Sequence, residues 1–181
     1  MFKIFAVISA LFFMAVSLPA QAQGLDLENT LYMQLDDGRV VIKLRPDLAP
    51  NHVARIKELA REGFYDGVVF HRVIEGFMAQ TGDPTGTGTG GSGQNIKAEF
   101  TDTPFQRGTV GMARSGHPDS ADSQFFINFV PTPFLNGQYT VVGEVISGME
   151  HVDNITRGEP PANPDKIIDL EVAADVADKK E

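Results

Sequence analysis

Most side chains in this sequence that could support covalent or metal chemistry are scattered along the chain. The four histidines are His52, His71, His117 and His151. They have no ligand spacing and no cysteine accompanies them, so a zinc site is not indicated. Ser115, Ser120 and Ser123 lack the nucleophile-elbow context of a serine hydrolase. We therefore expect neither metal nor covalent catalysis, and no cofactor.

A segment rich in glycine and threonine covers residues 85–93. Its centre, Gly-Thr-Gly-Thr-Gly-Gly at residues 86–91, superficially resembles a phosphate-binding loop. It lacks the Gly-Lys-Ser/Thr ending of such loops, and no helical pattern follows it. We therefore interpret the segment as a tight, mobile surface turn in which glycine provides positive φ.

One compact group of residues remains as a candidate site. Residues 70–80 read Phe-His-Arg-Val-Ile-Glu-Gly-Phe-Met-Ala-Gln. Taken alone, their spacing favours a structural interpretation, with Phe70, Phe77 and Met78 in the core and Arg72 as a solvated surface charge. In a strand, Arg72 faces away from its neighbour His71, but the pattern does not say whether that face meets solvent or a ligand.

Several motifs, taken in order, resemble the cyclophilin family of peptidyl-prolyl cis/trans isomerases. Residues 70–74 and 76–83 match the family's signature segment. The blocks that follow in the family's order are Gly88-Thr89-Gly90-Gly91, Gly111-Met112-Ala113-Arg114, Ser123-Gln124-Phe125-Phe126-Ile127, Phe134-Leu135-Asn136-Gly137 and Val142-Gly143-Glu144-Val145. The similarity extends over about residues 29–172. It implies an enzyme that accelerates rotation about X-Pro bonds and takes proline-containing polypeptides as partners.

The resemblance also implies a role for each candidate residue. Arg72 corresponds to the catalytic arginine. The residues matching the apolar pocket for the proline ring are Phe77, Met78, Phe126 and Leu135. The groups matching those that orient the substrate backbone are Gln80 and Gln124. Those at the segment whose main chain aligns the bound peptide are Ala113 and Arg114.

Three positions at the rim of this pocket depart from the best-known eukaryotic pattern. Phe134 stands where many members carry Trp, Tyr139 where many carry His, and Arg114 where many carry Asn. Phe134 has no indole N–H and so lacks one hydrogen-bond donor, which predicts weaker cyclosporin binding than in relatives with Trp. Tyr139 keeps an aromatic wall, so proline binding should survive.

The elements that must position these residues are mostly short strands. Alternating runs at Thr30–Leu35 and residues 39–44 flank Asp36-Asp37-Gly38, a strong hairpin signal. Short apolar runs follow at residues 68–70, 77–78, 109–113, 125–127 and 140–146, and residues 166–172 alternate again. Pro50 opens one helix that Gly63 stops, and residues 149–155 predict a second. The pattern indicates an all-β protein; the resemblance implies a closed eight-stranded antiparallel β-barrel capped by two α-helices.

Composition limits the classes of protein that this chain can be. Its 181 residues are 42% hydrophobic and 22% charged, which fits one ordinary globular domain. We predict that domain over residues 23–175, followed by a frayed, charged tail at residues 176–181, and a monomeric protein. The net charge of −9 argues against nucleic acid or an anionic membrane surface as a partner.

The first 22 residues have the features of a cleavable export signal. Lys3 gives a positive start, an apolar run of roughly 15 residues follows, and Ala20-Gln21-Ala22 offers a small-x-small cleavage site. The run is shorter than the roughly 20 residues needed to span a bilayer, although an uncleaved anchor is an alternative. The export signal, the resemblance of Phe134 to bacterial members of the family and the lack of a cysteine for lipid attachment together predict a periplasmic protein without stable membrane insertion. A eukaryotic secretory compartment is the less favoured alternative.

Two other functions remain open. A proline-directed binding module or holdase chaperone would use the same apolar pocket for capture rather than turnover. A structural subunit of an envelope complex would require a large exposed apolar patch or an interaction tail, and the only tail is short and charged.

Overall fold

A computed structural model describes residues 24–178 of the chain. The strands are β1 (Thr30–Leu35), β2 (Gly38–Leu44), β3 (Arg72–Ile74), β4 (Met78–Thr81), β5 (Thr109–Met112), β6 (Phe125–Asn128), β7 (Val141–Ser147) and β8 (Asp169–Val172). The α-helices are α1 (Pro50–Arg61), α2 (Met149–Asp153) and α3 (Ala173–Asp178), and 3₁₀ turns cover Leu27–Asn29, Pro118–Ser120 and Pro133–Leu135. The expected signal peptide, residues 1–22, lies outside the described residues, as do residues 179–181.

The first hairpin forms as the sequence predicts. β1 and β2 pair antiparallel from Thr30 opposite Lys43 to Leu35 opposite Gly38. Side chains alternate between the two faces of a strand, so Val40, Ile42 and Leu44 are buried while Lys43 is exposed.

Helix α1 obtains its N-terminal cap from a distant segment. Pro50 occupies its first turn, and Ala49 before it provides no side-chain cap. Glu99 supplies the missing acceptors instead, taking hydrogen bonds from the backbone N–H groups of Asn51 and His52, both at 3.1 Å. A carboxylate suits this place because a helix N-terminus carries partial positive charge and unpaired N–H groups. The buried face of the helix then packs on the sheet through His52, Val53, Ile56, Leu59 and Ala60.

The eight strands form one antiparallel sheet in the order β3-β4-β6-β5-β7-β2-β1-β8. The expected closed barrel is wrong in one respect: the sheet is an open, curled half-barrel, because the edge strands β3 and β8 share no ladder. The segments around these edges meet at two isolated bridges, Val69 with Lys166 and Val73 with Gly158, and at one further hydrogen bond, from the Gly67 N–H to the Ile167 carbonyl at 2.7 Å. Pro160, Pro161 and Pro164 lie between these two bridges. Proline has no N–H to donate, so this stretch is poorly suited to extend the ladder.

Two further elements differ from the sequence-based expectation. Residues 68–70 form no strand, because Val69 makes only the single bridge to Lys166. A third helix, α3, runs from Ala173 to Asp178 where a frayed tail was expected. Arg61 of α1 holds its first turn through Asp175, with the guanidinium Nε 2.9 Å from a carboxylate oxygen.

The buried apolar residues fall into two groups. The larger group fills the space between the sheet and α1 and includes Met33, Phe70, Ile127 and Leu170. The smaller group lies on the other side of β4 and β6 and consists of Met78, Phe105, Phe126, Leu135 and Val141. This second group forms the floor of the candidate site. No helix within residues 24–178 is both long and apolar enough to cross a membrane.

Candidate active site

Strand register brings the central candidate residues side by side. Arg72 on β3 lies opposite Gln80 on β4, Gln80 lies opposite Phe126 on β6, and Phe126 lies opposite Gly111 on β5. Directly opposed residues project from the same face of a sheet. Arg72, Gln80 and Phe126 therefore share a face of the sheet. Val73, the next residue on β3, points to the other face and is buried in the larger apolar group.

A small pocket of about 110 Å³ opens on this face. The residues that line it are Arg72, Phe77, Met78, Gln80, Ala113, Arg114, Phe126, Leu135 and Tyr139. The floor is apolar and almost inaccessible to water, since Met78 is 1% exposed, Phe126 5% and Leu135 6%. Its polar groups belong to Arg72 and Gln80, which are neighbours across β3 and β4, and to Arg114 and Tyr139. Such a site suits a small apolar ring joined to a polar backbone.

Gly111 makes room for the aromatic floor. A Cβ at this position would lie 2.6 Å from the rings of both Phe105 and Phe126, closer than atoms can pack. These two rings stack with their centroids 5.8 Å apart. Phe105 therefore supports Phe126 from below, a function that the sequence analysis missed because Phe105 lies outside the family motifs.

Arg72 reaches over the edge of the pocket with its guanidinium partly exposed. Its Nη1 donates a long hydrogen bond of 3.5 Å to Gln80 Oε1, and its Nε lies 3.7 Å from Glu159 Oε2. The neighbouring His71 is buried, and burial together with the charge of Arg72 lowers the pKa of its imidazole, against the opposing effect of Asp83. His71 is therefore neutral at neutral pH and does not compete with Arg72 as a cation.

Two glutamine amides connect Arg72 to the glycine-rich loop. Gln80 Nε2 donates to Gln124 Oε1 at 2.9 Å. Gln124 Nε2 in turn donates to the carbonyls of Gly88 at 3.1 Å and Gly90 at 2.8 Å. The loop expected to be a mobile turn is thus tied to the site by its own main chain.

The Arg114 side chain connects two walls of the pocket, one formed by residues 113–115 and the other by residues 138–139. Its Nε and Nη2 donate to the carbonyl of Gln138 at 3.1 and 3.0 Å, and its Nη1 donates to the carbonyl of Ser115 at 2.9 Å. The guanidinium lies over the Tyr139 ring at 4.5 Å and near the Phe100 ring at 5.7 Å, within the range of cation–π attraction. The sequence analysis assigned only the main chain of Arg114 to the site, whereas its side chain holds the Tyr139 wall.

Phe134 lies at the outer rim rather than inside the pocket. Its side chain is 62% exposed, and its ring meets that of Phe77 with centroids 5.6 Å apart. Together with Gln124, which lies behind Gln80, it completes the set of candidate residues. The structure therefore brings all the sequence-predicted site residues into one region, although their chemical roles remain predictions.

A second cavity of about 520 Å³ adjoins the pocket and shares Gln80, Ala113 and Arg114 with it. Its remaining walls come from the glycine-rich loop and from Ser115, Ser120 and neighbouring residues. An extended chain bound at the small pocket has room to continue there. Within residues 24–178, no three His, Cys, Asp or Glu side chains are grouped so that they could hold a metal ion.

Comparison with known families identifies the class of protein that this fold and pocket define. The family described as "Cyclophilin type peptidyl-prolyl cis-trans isomerase/CLD" matches residues 30–172, which include every residue of the pocket. The chain belongs to this family and is a cyclophilin-type peptidyl-prolyl cis-trans isomerase, as the sequence motifs predicted.

Individual relatives agree with this assignment. A probable peptidyl-prolyl cis-trans isomerase of Brucella suis is 54% identical over 187 aligned residues, covering 93% of this chain and 95% of the relative. Peptidyl-prolyl cis-trans isomerase B of Bacillus subtilis is 48% identical, covering 72% and 92%.

Solved structures share the fold. Cyclophilin AquaCyp293 from Hirschia baltica has a TM-score of 0.77 at 29% identity, covering 83% of this chain and 76% of its own. A cyclophilin-type isomerase from Cryptosporidium parvum, solved in the presence of the dipeptide Ala-Pro, has a TM-score of 0.74 at 29% identity, covering 79% and 98%.

Proposed function

We propose that this isomerase uses Arg72 as its catalytic residue and acts on X-Pro bonds of exported proteins, assisting their folding. The observation that supports this most directly is the position of the Arg72 guanidinium at the edge of a small apolar pocket, in register with Gln80. The pocket holds the proline ring, and Arg72 faces the amide that must rotate.

The reaction requires no bond to be broken. Rotation about a peptide C–N bond faces a barrier of roughly 18–20 kcal/mol because the bond has partial double-bond character. At X-Pro bonds the two isomers are close in energy, yet they exchange over tens to hundreds of seconds. In the twisted transition state, resonance is lost and the proline nitrogen becomes more basic. A catalyst must therefore bind the twisted state more tightly than either planar state.

A guanidinium meets this requirement. It is a permanent cation with several donors in a fixed plane. When Arg72 donates to the proline nitrogen, the hydrogen bond strengthens as the lone pair localises, so the gain occurs in the transition state. The apolar floor from Met78, Phe126 and Leu135 fixes the ring and lowers the local dielectric, which strengthens that donor. An acceleration of roughly 10⁵ needs about 7 kcal/mol, which positioning and electrostatics together can supply.

Replacing Arg72 with alanine tests this mechanism. Loss of one transition-state donor should reduce kcat by about a hundredfold or more, while the protein stays folded because the side chain is partly exposed. Arg45→Ala is a matched control, since Arg45 pairs with Asp47 on the surface and lies outside the pocket. The measurement is isomer exchange of an X-Pro peptide by NMR. Near-normal turnover in Arg72→Ala would contradict the assignment. If Arg72→Ala loses isomerisation but protects a client protein from aggregation as well as wild type does, a holdase role is favoured.

The proposed site of action is the periplasm. It rests on the positive start, apolar run and small-x-small motif within residues 1–22. Cell fractionation, combined with N-terminal sequencing of the mature protein, tests this: the expected first residue is Gln23. Recovery of the full-length chain from the membrane fraction would indicate an uncleaved anchor instead.

Two further properties complete the proposal. We expect a monomer, which sedimentation would test. We also expect weak cyclosporin binding, because the exposed ring of Phe134 offers no N–H at the rim of the pocket.

A further inference from the structure

Asp83 is a fully buried carboxylate that lies outside the proline pocket. Its Oδ1 accepts hydrogen bonds from the backbone N–H and hydroxyl of Thr85, at 2.7 and 2.8 Å. Its Oδ2 accepts from the backbone N–H groups of Gly88 at 2.6 Å and Gly90 at 3.0 Å. Burial alone would raise the pKa of this carboxyl, but these hydrogen bonds outweigh burial and lower the pKa to about 2. Asp83 is therefore ionised at any physiological pH.

The glycines that bind Asp83 also face the site. Gly88 and Gly90 donate their N–H groups to the carboxylate and present their carbonyls to Gln124 Nε2. Gly90 has no room for a side chain, because a Cβ there would lie against the Asp83 carboxylate and the Thr85 side chain. The carboxylate thus fixes the direction in which the two loop carbonyls point.

These carbonyls in turn fix the orientation of two side-chain amides, Gln124 and Gln80, which we call the amide relay. A carbonyl can only accept, so both loop carbonyls require the Nε2 group of Gln124. Gln124 is left with Oε1 to accept from Gln80 Nε2 at 2.9 Å. Gln80 must then present its own Oε1 to Arg72, whose Nη1 lies 3.5 Å away. With Gln80 turned over, its NH₂ group would face the guanidinium. With Gln124 turned over, its Oε1 would face the two loop carbonyls and its NH₂ group would face that of Gln80.

We propose that Asp83 is a positioning residue for isomerisation, holding the Arg72 guanidinium toward the proline pocket through the loop carbonyls and the amide relay. This inference rests on the proposed catalytic role of Arg72. Asp83 itself touches neither the pocket nor Arg72. We assign its effect on the reaction to the relay. The charge of Asp83 also acts on His71 beside Arg72, and a variant that breaks the relay separates the two routes.

The test is the variant Asp83→Asn, in which an NH₂ group replaces an oxygen that accepts from loop N–H groups. We expect kcat to fall roughly tenfold, because small misplacements of a catalytic group are costly, while KM changes less than twofold. We also expect the Nε–Hε NMR signal of Arg72 to shift. Global unfolding by urea, measured in parallel, shows how much stability the variant loses.

Glu99→Gln is the matched control. Glu99 also accepts two backbone N–H groups, from Asn51 and His52. The pKa of its carboxyl is likewise lowered by hydrogen bonds despite burial. It has no contact with the amide relay, so this variant should lose stability without changing kcat or the Arg72 signal.

A double variant separates positioning from loop stability. With Gln124→Ala the relay is broken, so adding Asp83→Asn should reduce kcat less than twofold further. A full additional tenfold loss of kcat in the Gln124→Ala background would overturn the proposal. It would also be overturned if Asp83→Asn and Glu99→Gln had the same kcat.

Two further variants keep the outcome decisive. Should Asp83→Asn not fold, Thr85→Val removes only one donor to Oδ1 and should lower kcat twofold to fourfold; an unchanged kcat there also refutes the proposal. Arg72→Ala distinguishes the two hypotheses. If it retains near-normal turnover, the proposed catalytic role fails; if it is inactive while Asp83→Asn is fully active, only the positioning role fails.

Discussion

Replacing Arg114 with alanine should loosen the wall of the proline pocket that carries Tyr139. The guanidinium makes two hydrogen bonds to the Gln138 carbonyl and one to the Ser115 carbonyl, and it stacks over the Tyr139 ring at 4.5 Å. The bond to Ser115 is local to its own segment. Of these contacts of the guanidinium, the ones with Gln138 and Tyr139 connect the wall at residues 113–115 to the wall at residues 138–139.

The magnitude follows from these contacts. The forked hydrogen bond to one carbonyl contributes about 1 kcal/mol, and the cation–π contact at a partly exposed site contributes about 0.5–1 kcal/mol. Ordering the arginine side chain costs up to about 1 kcal/mol of this gain. The net effect is about 1 kcal/mol, or roughly a fivefold change in an equilibrium constant.

The assay is NMR titration of an X-Pro peptide, which gives its Kd, together with amide hydrogen exchange of residues 134–139. In Arg114→Ala we expect a Kd about three- to tenfold weaker and faster exchange in that segment. Arg114→Lys keeps the positive charge but not the fork, so it should resemble the alanine variant more than wild type. If Arg114→Ala keeps the wild-type Kd and the wild-type hydrogen exchange, the Arg114 side chain does not hold the Tyr139 wall. If Arg114→Lys restores both fully, the effect is due to charge alone.

Two other predictions concern the rim and the buried loop. Phe134→Trp should tighten cyclosporin binding by roughly two- to tenfold, since one added donor contributes about 0.5–1.5 kcal/mol; calorimetry measures this, and equal affinities would show that the donor is not used. The pKa of Asp83 is lowered from 3.8 to about 2, so its stabilisation is present above pH 4 and is lost as the pH falls toward 2. Urea unfolding should therefore show that the free energy of unfolding of wild type falls by about 2 kcal/mol more than that of Asp83→Asn between pH 4 and pH 2. If the two proteins lose stability in parallel as the pH falls, this expectation is wrong.

Local signals in the sequence predicted the elements that depend on local structure. The hairpin around Asp36-Asp37-Gly38 and the helix beginning at Pro50 both form where the turn residue and the fixed φ of proline indicate. The open edge of the sheet could not be predicted in this way. It depends on which distant segment faces β3, and there the chain carries three prolines between Val73's partner Gly158 and Val69's partner Lys166.

The site residues also fall into those that the sequence predicted and those that it did not. The motifs identified Arg72 and the apolar pocket residues, and the strand register explains why they converge. Spacing alone left Arg72 as a surface charge, because a pattern of exposed and buried positions does not reveal a ligand. Asp83 is the last residue of the signature segment, and the motifs assign it no function. Asp83 stands two residues before Thr85, at the start of the Gly/Thr-rich loop. An aspartate near such a turn commonly accepts hydrogen bonds from the backbone N–H groups that follow it, and this signal could have indicated that Asp83 holds the loop.

The capping of α1 by Glu99 has a consequence for how this molecule assembles. A twelve-residue helix is marginal by itself in water, and this one lacks a cap within its own segment. Its first turn is completed only when a carboxylate 47 residues beyond His52 docks against it. We therefore expect α1 to belong to the same cooperative unit as the loop containing Glu99, so that the helix becomes stable late, with the long-range contacts, and is not an early local nucleus.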